Sequence, residues 1–324
     1  MIFQSQLEEV LHGFQETLLN RYKQGSLVKA FERISERYRR ESGCFLQTEE
    51  ERWVYLFTRL PATFAVALKV FEELKARCPI LNPQSLLDVG AGPGTGMWAA
   101  SEVFEKTLEK CTLIENDVHF LSMGKEIASK SSFSWVQKAN WNLSDMTRSL
   151  PVESHDITIV SYSLGETEES IWSNLLKTLW TSTQKALVII EPGTPKGYRR
   201  MMKFRDLLIE LGGFLWAPCP HHQACPLTVG DWCHFSARVQ RTSLHRKLKS
   251  GDLGYEDEKF CYLIVGKEPC ASYQERIIRY PMKHTGYVEV TLCGKEGIEK
   301  KIFSKKDKEK YKHIKKLSWG DVIT

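Results

Sequence analysis

Leu7, Val10, Leu11, Phe14 and Leu18 recur at intervals of three and four residues, and Phe64, Leu68, Phe71 and Leu74 repeat the pattern further along. On a helix this spacing gathers one apolar stripe, so residues 5–80 are expected to be helical. From Ser85 the rhythm changes to short apolar runs, SLLDVG, CTLIEN, ITIVSYS and ALVIIEP, separated by segments long enough for helices. Strands alternating with helices predict a parallel sheet covered on both faces. After the helical stretch GYRRMMKFRDLLIELGG comes an irregular segment, APCPHHQACPLTVGDWCHFSARVQR, followed by KFCYLIVGK and YVEVTLCG, which read as late strands.

This pattern divides the chain into a helical N-terminal domain over 1–80, a cofactor-binding α/β domain over 81–213, a cysteine-rich insertion with late strands over 214–297, and a basic tail over 298–324. Composition supports a globular protein with a large core, since 42% of the 324 residues are hydrophobic and 26% charged. The formal charge of +5 is uneven: residues 295–316 hold ten lysines against four acids. A run of this kind reads either as a solvated, partly disordered face or as an arm for a phosphate backbone.

Glu8 and Glu9 stand where a targeting leader would be basic, and no apolar run approaches a membrane span. The expectation is a soluble, cytoplasmic protein, or one of the mitochondrial matrix if a leader has been removed, with no membrane or DNA partner. In a reducing compartment its nine cysteines are not a disulfide framework. Clustered cysteines then suggest metal, and scattered ones suggest packing.

The first chemical motif is LLDVGAGPGTG, in which a strand ending at Asp88 runs into Gly90, Gly92 and Gly94. Glycines there let the backbone turn and approach a ligand. The dinucleotide fingerprint is not met, because the place of its third glycine is held by Thr95 or Met97, and no Gly-Lys-Ser/Thr follows for a Walker loop. The arrangement resembles motif I of class I S-adenosylmethionine-dependent methyltransferases. Glu115 ends the next strand, where a carboxylate can accept from ribose hydroxyls. Asp145 is a candidate for the adenine amino group, or a plain helix cap. SYSLGE, at the end of the fourth strand, occupies the usual substrate-facing position, but no base-holding Asn-Pro-Pro-Tyr or Asp-Pro-Pro-Tyr and no nucleophilic Pro-Cys is found there. Glu191 is a candidate base. The expected fold class is therefore α/β, a class I methyltransferase (Rossmann-like) fold with an N-terminal helical domain and a cysteine-rich metal-binding insertion; its catalytic residues are not identifiable.

In the irregular segment, Cys219 and Cys225 have five residues between them and Cys225 and Cys233 have seven, whereas zinc knuckles favour two to four. A larger cluster fits the wider spacing, and iron–sulfur cubanes take a fourth thiolate commonly from elsewhere in the chain. His221, His222 and His234 keep zinc open as the alternative.

CPHHQACPL, DWCHFSARVQR, HRKLKSGDLGYEDEKFCYLIV and the terminal SWGD resemble the methyltransferase-like (Rsm-type) family of the small ribosomal subunit, which has mitochondrial and bacterial members. The likeness runs from about Leu81 to Gly320, and the cysteine segment followed by GYEDEKF is its most specific part. It implies a class I methyltransferase fold with an inserted four-cysteine [4Fe-4S] site, S-adenosylmethionine as cofactor, and binding to the small ribosomal subunit or its assembly intermediates through rRNA. It also points to Cys293, in GYVEVTLCGKEG, as fourth ligand beside Cys219, Cys225 and Cys233. Cys261, Cys270, Cys44, Cys78 and Cys111 read as packing or turn residues. Two functions are thus expected: an rRNA-directed methyltransferase or methyltransferase-like assembly factor, or a non-catalytic rRNA-binding factor with zinc in place of the cluster. A small-molecule methyltransferase is a third class.

Overall fold

The computed structural model describes residues 5–40, 46–148, 150, 153–249, 251–270 and 274–323. The chain opens with four helices, α1 (Gln6–Arg21), α2 (Gln24–Arg40), α3 (Glu49–Thr58) and α4 (Leu60–Arg77). Leu7, Leu11, Phe14 and Leu18 form the buried stripe of α1, and Ser5 starts it through a capping box with Glu8. Thr48 starts α3 by accepting from the N–H of Glu51. Among the described residues no single helix is long and apolar enough to cross a membrane.

The main sheet is built from β1 (Ser85–Val89), β2 (Lys110–Glu115), β3 (Asn140–Leu143), β4 (His155–Ser161), β5 (Thr183–Pro192), β6 (Phe214–Ala217), β7 (Phe235–Gln240) and β8 (Tyr255–Gly266). The helices between them are α5 (Thr95–Phe104), α6 (Val118–Ala128), α7 (Ser134–Gln137), α8 (Trp172–Thr181), α9 (Pro195–Glu210) and α10 (Ser243–Lys249). Strand order is β3-β2-β1-β4-β5-β8-β6, with β7 on the outer half of β8. The first five strands are parallel, and β8 runs antiparallel to both β5 and β6. Burial follows this placement. Phe260–Gly266, inserted between β5 and β6, is buried throughout, whereas Tyr255–Lys259, paired with β7, alternates between exposed and half-buried positions.

The N-terminal helices do not have a core of their own. α4 packs on α5, β6, β7 and β8, and one continuous apolar cluster joins Leu7, Leu18 and Phe71 to Leu113, Phe235 and Ile264. A second cluster, with α8 and α9, covers the opposite face of the sheet. The boundary drawn at residue 80 therefore marks a change of secondary structure and not a break in packing.

A second, antiparallel sheet follows: β9 (Glu275–Ile277), β10 (Met282–Lys283), β11 (Tyr287–Gly294), β12 (Gly297–Ser304) and β13 (Val322–Ile323), with α11 (Lys308–Ile314) between the last two. Its order is β10-β11-β9-β13, with β12 on β11. Val288, Val290 and Leu292 on β11 pack with Tyr311 and Ile314 of α11. Residues 298–323, read from sequence as a tail and a partly disordered face, are thus a hairpin strand, a capped helix and an edge strand. The lysines hid the strand: Lys300 is exposed, and Lys301, opposite the buried Val290, pairs with Glu275 at 2.7 Å and Glu299 at 3.3 Å at the sheet edge.

Candidate cofactor pocket and cysteine-lined cavity

At the carboxyl end of β1 the chain turns through Gly90 (φ +67°), Gly92 (φ +55°) and Gly94 (φ +87°) into α5. Gly90 has two reasons to lack a side chain: its left-handed backbone and the Ser163 Oγ, which would stand 2.4 Å from an added Cβ. Asp88 is buried beneath this turn, and its Oδ2 accepts from the N–H of Met97 at 3.1 Å. Burial pushes its carboxyl up to about 7, against the backbone hydrogen bond from Met97 and with a contribution from Glu115. Glu115 is itself buried and fully engaged. Its Oε2 accepts from the N–H of Gly92 at 2.6 Å, and its Oε1 from those of Asn116 and Asp117 at 2.9 and 2.8 Å. The end of β2 thereby holds the glycine loop in shape.

A cavity of about 40 Å³ lies against this turn, lined by Asp88, Gly90, Gly92 and Gly96, by Ser161 and Tyr162 at the tip of β4, and by Tyr55 and Thr63 from α3 and α4. The last two form a roof that nothing in the sequence announced. It is clamped on two sides: Arg52 binds Asp117 at 2.9 Å and Arg59 binds Glu258 at 3.2 Å. Tyr162 has a left-handed backbone, φ +59°, which costs a side-chain-bearing residue conformational energy. The hydroxyls of Ser161 and Tyr162 are buried without a hydrogen-bond partner among the described residues. SYSLGE therefore brings two unspent hydroxyls to the pocket.

Four candidates do not line this cavity: Gly94 and Glu115, which belong to the glycine turn and its support, and Asp145 and Glu191, which lie elsewhere. Asp145 sits in the turn after β3, accepts from the N–H and Oγ1 of Thr147 at 2.8 and 2.7 Å, and does not line the cavity. Glu191 is buried at the end of β5, paired with Arg200 at 2.6 Å and accepting from the N–H of Gly165 at 3.2 Å. That carboxylate pins β5 to α9 and the β4 loop; burial raises its pKa, and the Arg200 guanidinium pulls it back.

The cysteine segment spans the connection from β6 to β7. Cys219, Cys225 and Cys233 from this connection and Cys293 from β11 line one cavity of about 50 Å³ between the two sheets. The four-cysteine cluster site expected of the insertion is not shown: among the described residues no group of three or more His, Cys, Asp or Glu stands close enough to hold a metal ion. Burial raises the pKa of Cys219, with Arg205 pulling it back, and raises that of Cys293 to about 12, with Cys219 and Cys225 adding to the effect. Because a metal binds the thiolate form, loading such a site with metal would expel the thiol protons.

His221, His222 and His234 do not line the cavity. His222 accepts from the N–H of Leu215 through Nε2 at 2.9 Å, and His234 stacks on Trp232 with ring centroids 5.4 Å apart. Cys261 is buried in β8 as expected, yet it also reaches the cavity wall and donates to the carbonyl of Cys233 at 3.1 Å. Cys270 donates to the carbonyl of Arg77 at 2.7 Å, Cys78 and Cys111 are buried, and Cys44 lies outside the described residues.

A sheet ordered 3-2-1-4-5-8-6 with its late strand reversed, and a glycine loop after its first strand, define a class I methyltransferase-type α/β protein. The chain belongs to the family described as mitochondrial small ribosomal subunit Rsm22, matched over residues 49–324. It is similar to the human ribosome assembly protein METTL17, mitochondrial (Homo sapiens), with 27% identity over 297 residues, covering 85% of this chain and 63% of that protein. It is also similar to Rsm22-cox11 tandem protein 2, mitochondrial, of Schizosaccharomyces pombe, with 22% identity over 85% of this chain and 43% of that protein. The chain thus spans less than two thirds of the length of either relative. Both are named as mitochondrial, which gives the cytoplasmic expectation no support. Among solved structures, magnesium protoporphyrin IX methyltransferase from Synechocystis PCC 6803 with bound SAH aligns at TM-score 0.43 and 12% identity over 72% of this chain and 93% of that one. A SAM-dependent methyltransferase from Aquifex aeolicus aligns at TM-score 0.42 and 14% identity over 66% and 95%.

Proposed function

We propose that this chain is a mitochondrial-matrix assembly protein of the small ribosomal subunit that binds rRNA, holds S-adenosylmethionine in the β1 pocket and carries one [4Fe-4S] cluster on Cys219, Cys225, Cys233 and Cys293. The observation that carries the cluster reading is that these four thiols, three from one irregular segment and one from a different sheet, line a single cavity. The four proposed donors are all cysteines, and none of the three histidines lines the cavity. Four thiolates can hold either a polynuclear cluster or zinc, and the wide spacing of Cys219, Cys225 and Cys233 favours the cluster. Such a group would tie the insertion to both sheets and order a segment with little apolar content of its own.

In the pocket, Asp88 and the glycine loop suit the amino-acid part of the cofactor, and Glu115 suits its ribose. Phosphate contacts fall to the open side of α11 and the turn before it, where Lys305, Lys306, Lys308, Lys312, Lys315 and Lys316 are all exposed. A second reading, methyl transfer to rRNA, draws support from the unspent hydroxyls of Ser161 and Tyr162 at the pocket. Labelled S-adenosylmethionine incubated with the protein and small-subunit RNA distinguishes the two. RNA binding without label incorporation is the expected result, incorporation favours the second reading, and failure to bind RNA contradicts both.

A further inference from the structure

The cysteine-lined cavity carries more than its thiols. Tyr198, Met201 and Met202 of α9 line it at the helical spacing i, i+3 and i+4, and Arg205 continues the same stripe at i+7 beside the cysteine segment. The Tyr198 hydroxyl lies 3.2 Å from Cys225 Sγ. Arg205 is 1% exposed; its Nη2 donates to the carbonyls of Gln223 and, at 3.2 Å, His221, its Nε is buried without a hydrogen-bond partner among the described residues, and its charge lowers the pKa of Cys219 against the effect of burial. Its acidic partner, Asp206, is largely exposed. On the other side Arg276 of β9 lies directly across from Cys293 of β11, is also 1% exposed and lines the cavity. It donates to the carbonyl of Pro218, next to Cys219, at 2.7 Å and to that of Gly320, and it pairs with Glu73 of α4, which also pairs with Arg77.

Buried guanidiniums are costly unless a negative group repays their desolvation. Asp206, paired with Arg205, is largely exposed, and Glu73, paired with Arg276, is shared with Arg77. Four thiolates around an oxidised [4Fe-4S] core make a dianion, and one added electron makes it a trianion. We propose that Arg205 and Arg276, with the Tyr198 hydroxyl, are the counter-charges and hydrogen-bond donors for that anion. They hold it in the closed site and raise the potential at which it accepts an electron, because positive charge and hydrogen bonds to sulfur favour the reduced form. Arg276 adds a mechanical consequence: by joining the residue before Cys219, the strand opposite Cys293, the terminal SWGD and α4, it links occupancy of the site to the fit of both sheets against the N-terminal helices.

This inference rests on the cluster reading above, and the experiment separates the two. The full chain is purified anaerobically, iron and acid-labile sulfide are counted, and the midpoint potential is measured by titration with dithionite, a one-electron reductant in its dissociated form, followed by electron paramagnetic resonance. Tyr198→Phe, which removes one donor and little volume, is expected to keep its iron and shift the potential lower. Arg205→Met is expected to shift it further and to lose iron to a chelator about tenfold faster or more, with Arg205→Lys in between. Should Arg205→Met fail to fold, Tyr198→Phe decides the matter. Iron-bearing variants with the potential of the parent overturn the inference alone. A parent containing zinc and no iron overturns the cluster reading and the inference with it.

Discussion

Glu115 Oε2 accepts from the backbone N–H of Gly92 at 2.6 Å, so the carboxylate proposed for the ribose already shapes the loop proposed for the methionine part of the cofactor. Removing it should act on both. Glu115→Ala is expected to lower S-adenosylmethionine affinity about ten- to a hundredfold, from roughly 1 to 3 kcal/mol of lost hydrogen bonding, and to lower the melting temperature of the free protein. Calorimetric titration and a thermal melt check the two effects. Unchanged affinity would remove Glu115 from the cofactor site.

Asp88 should give the protein a measurable pH dependence. Burial raises its pKa in the fold to about 7, above the ordinary carboxyl range. A group raised in the folded state contributes stability that is complete below its unfolded pKa and lost as pH rises through the folded one. The stability of the parent relative to Asp88→Asn should therefore fall from about pH 4 to about pH 7 and level off above it. Paired denaturation curves across this range test it, and a difference independent of pH would show that Asp88 is not held protonated.

The rRNA contact is best tested without truncation, since removing α11 would also remove Tyr311 and Ile314 from the core of the small sheet. Replacing Lys308, Lys312, Lys315 and Lys316 with Gln leaves that core intact. If all four meet phosphates, the slope of log affinity for small-subunit RNA against log salt should flatten by about 3. An identical slope would mean that the lysines are only a solvated face.

Most of the sheet was legible because its central strands are buried on both faces and read as unbroken apolar runs, as in ITIVSYS and ALVIIEP, now β4 and β5. The stripe of α1 was legible for the same kind of reason. β3 and β6 have four residues each, too few to set a period, and β12 is an edge strand whose lysines point to solvent or to Glu275 and Glu299. At the pocket, Asp88 and the glycines could be read because local backbone geometry demands them, and the cysteines because their number in an apolar-poor segment needs a reason. The roof of Tyr55 and Thr63 and the guanidinium of Arg276 could not. They arrive through packing between segments far apart in the chain, where no local pattern records the meeting. Arg200, the partner of the candidate base Glu191, stands nine residues on and is brought to it only by the β5–α9 turn.

The central claim is that Cys219, Cys225, Cys233 and Cys293 hold one cluster, and counting iron and acid-labile sulfide in anaerobically purified parent and Cys293→Ser proteins tests it most directly. The account predicts about four of each per parent chain, with broad absorption near roughly 400 nm, and loss of both in Cys293→Ser, while Cys261→Ser, altered only in the wall of the cavity, keeps its iron. One zinc and no iron in the parent, or full iron in Cys293→Ser with loss in Cys261→Ser, would contradict it.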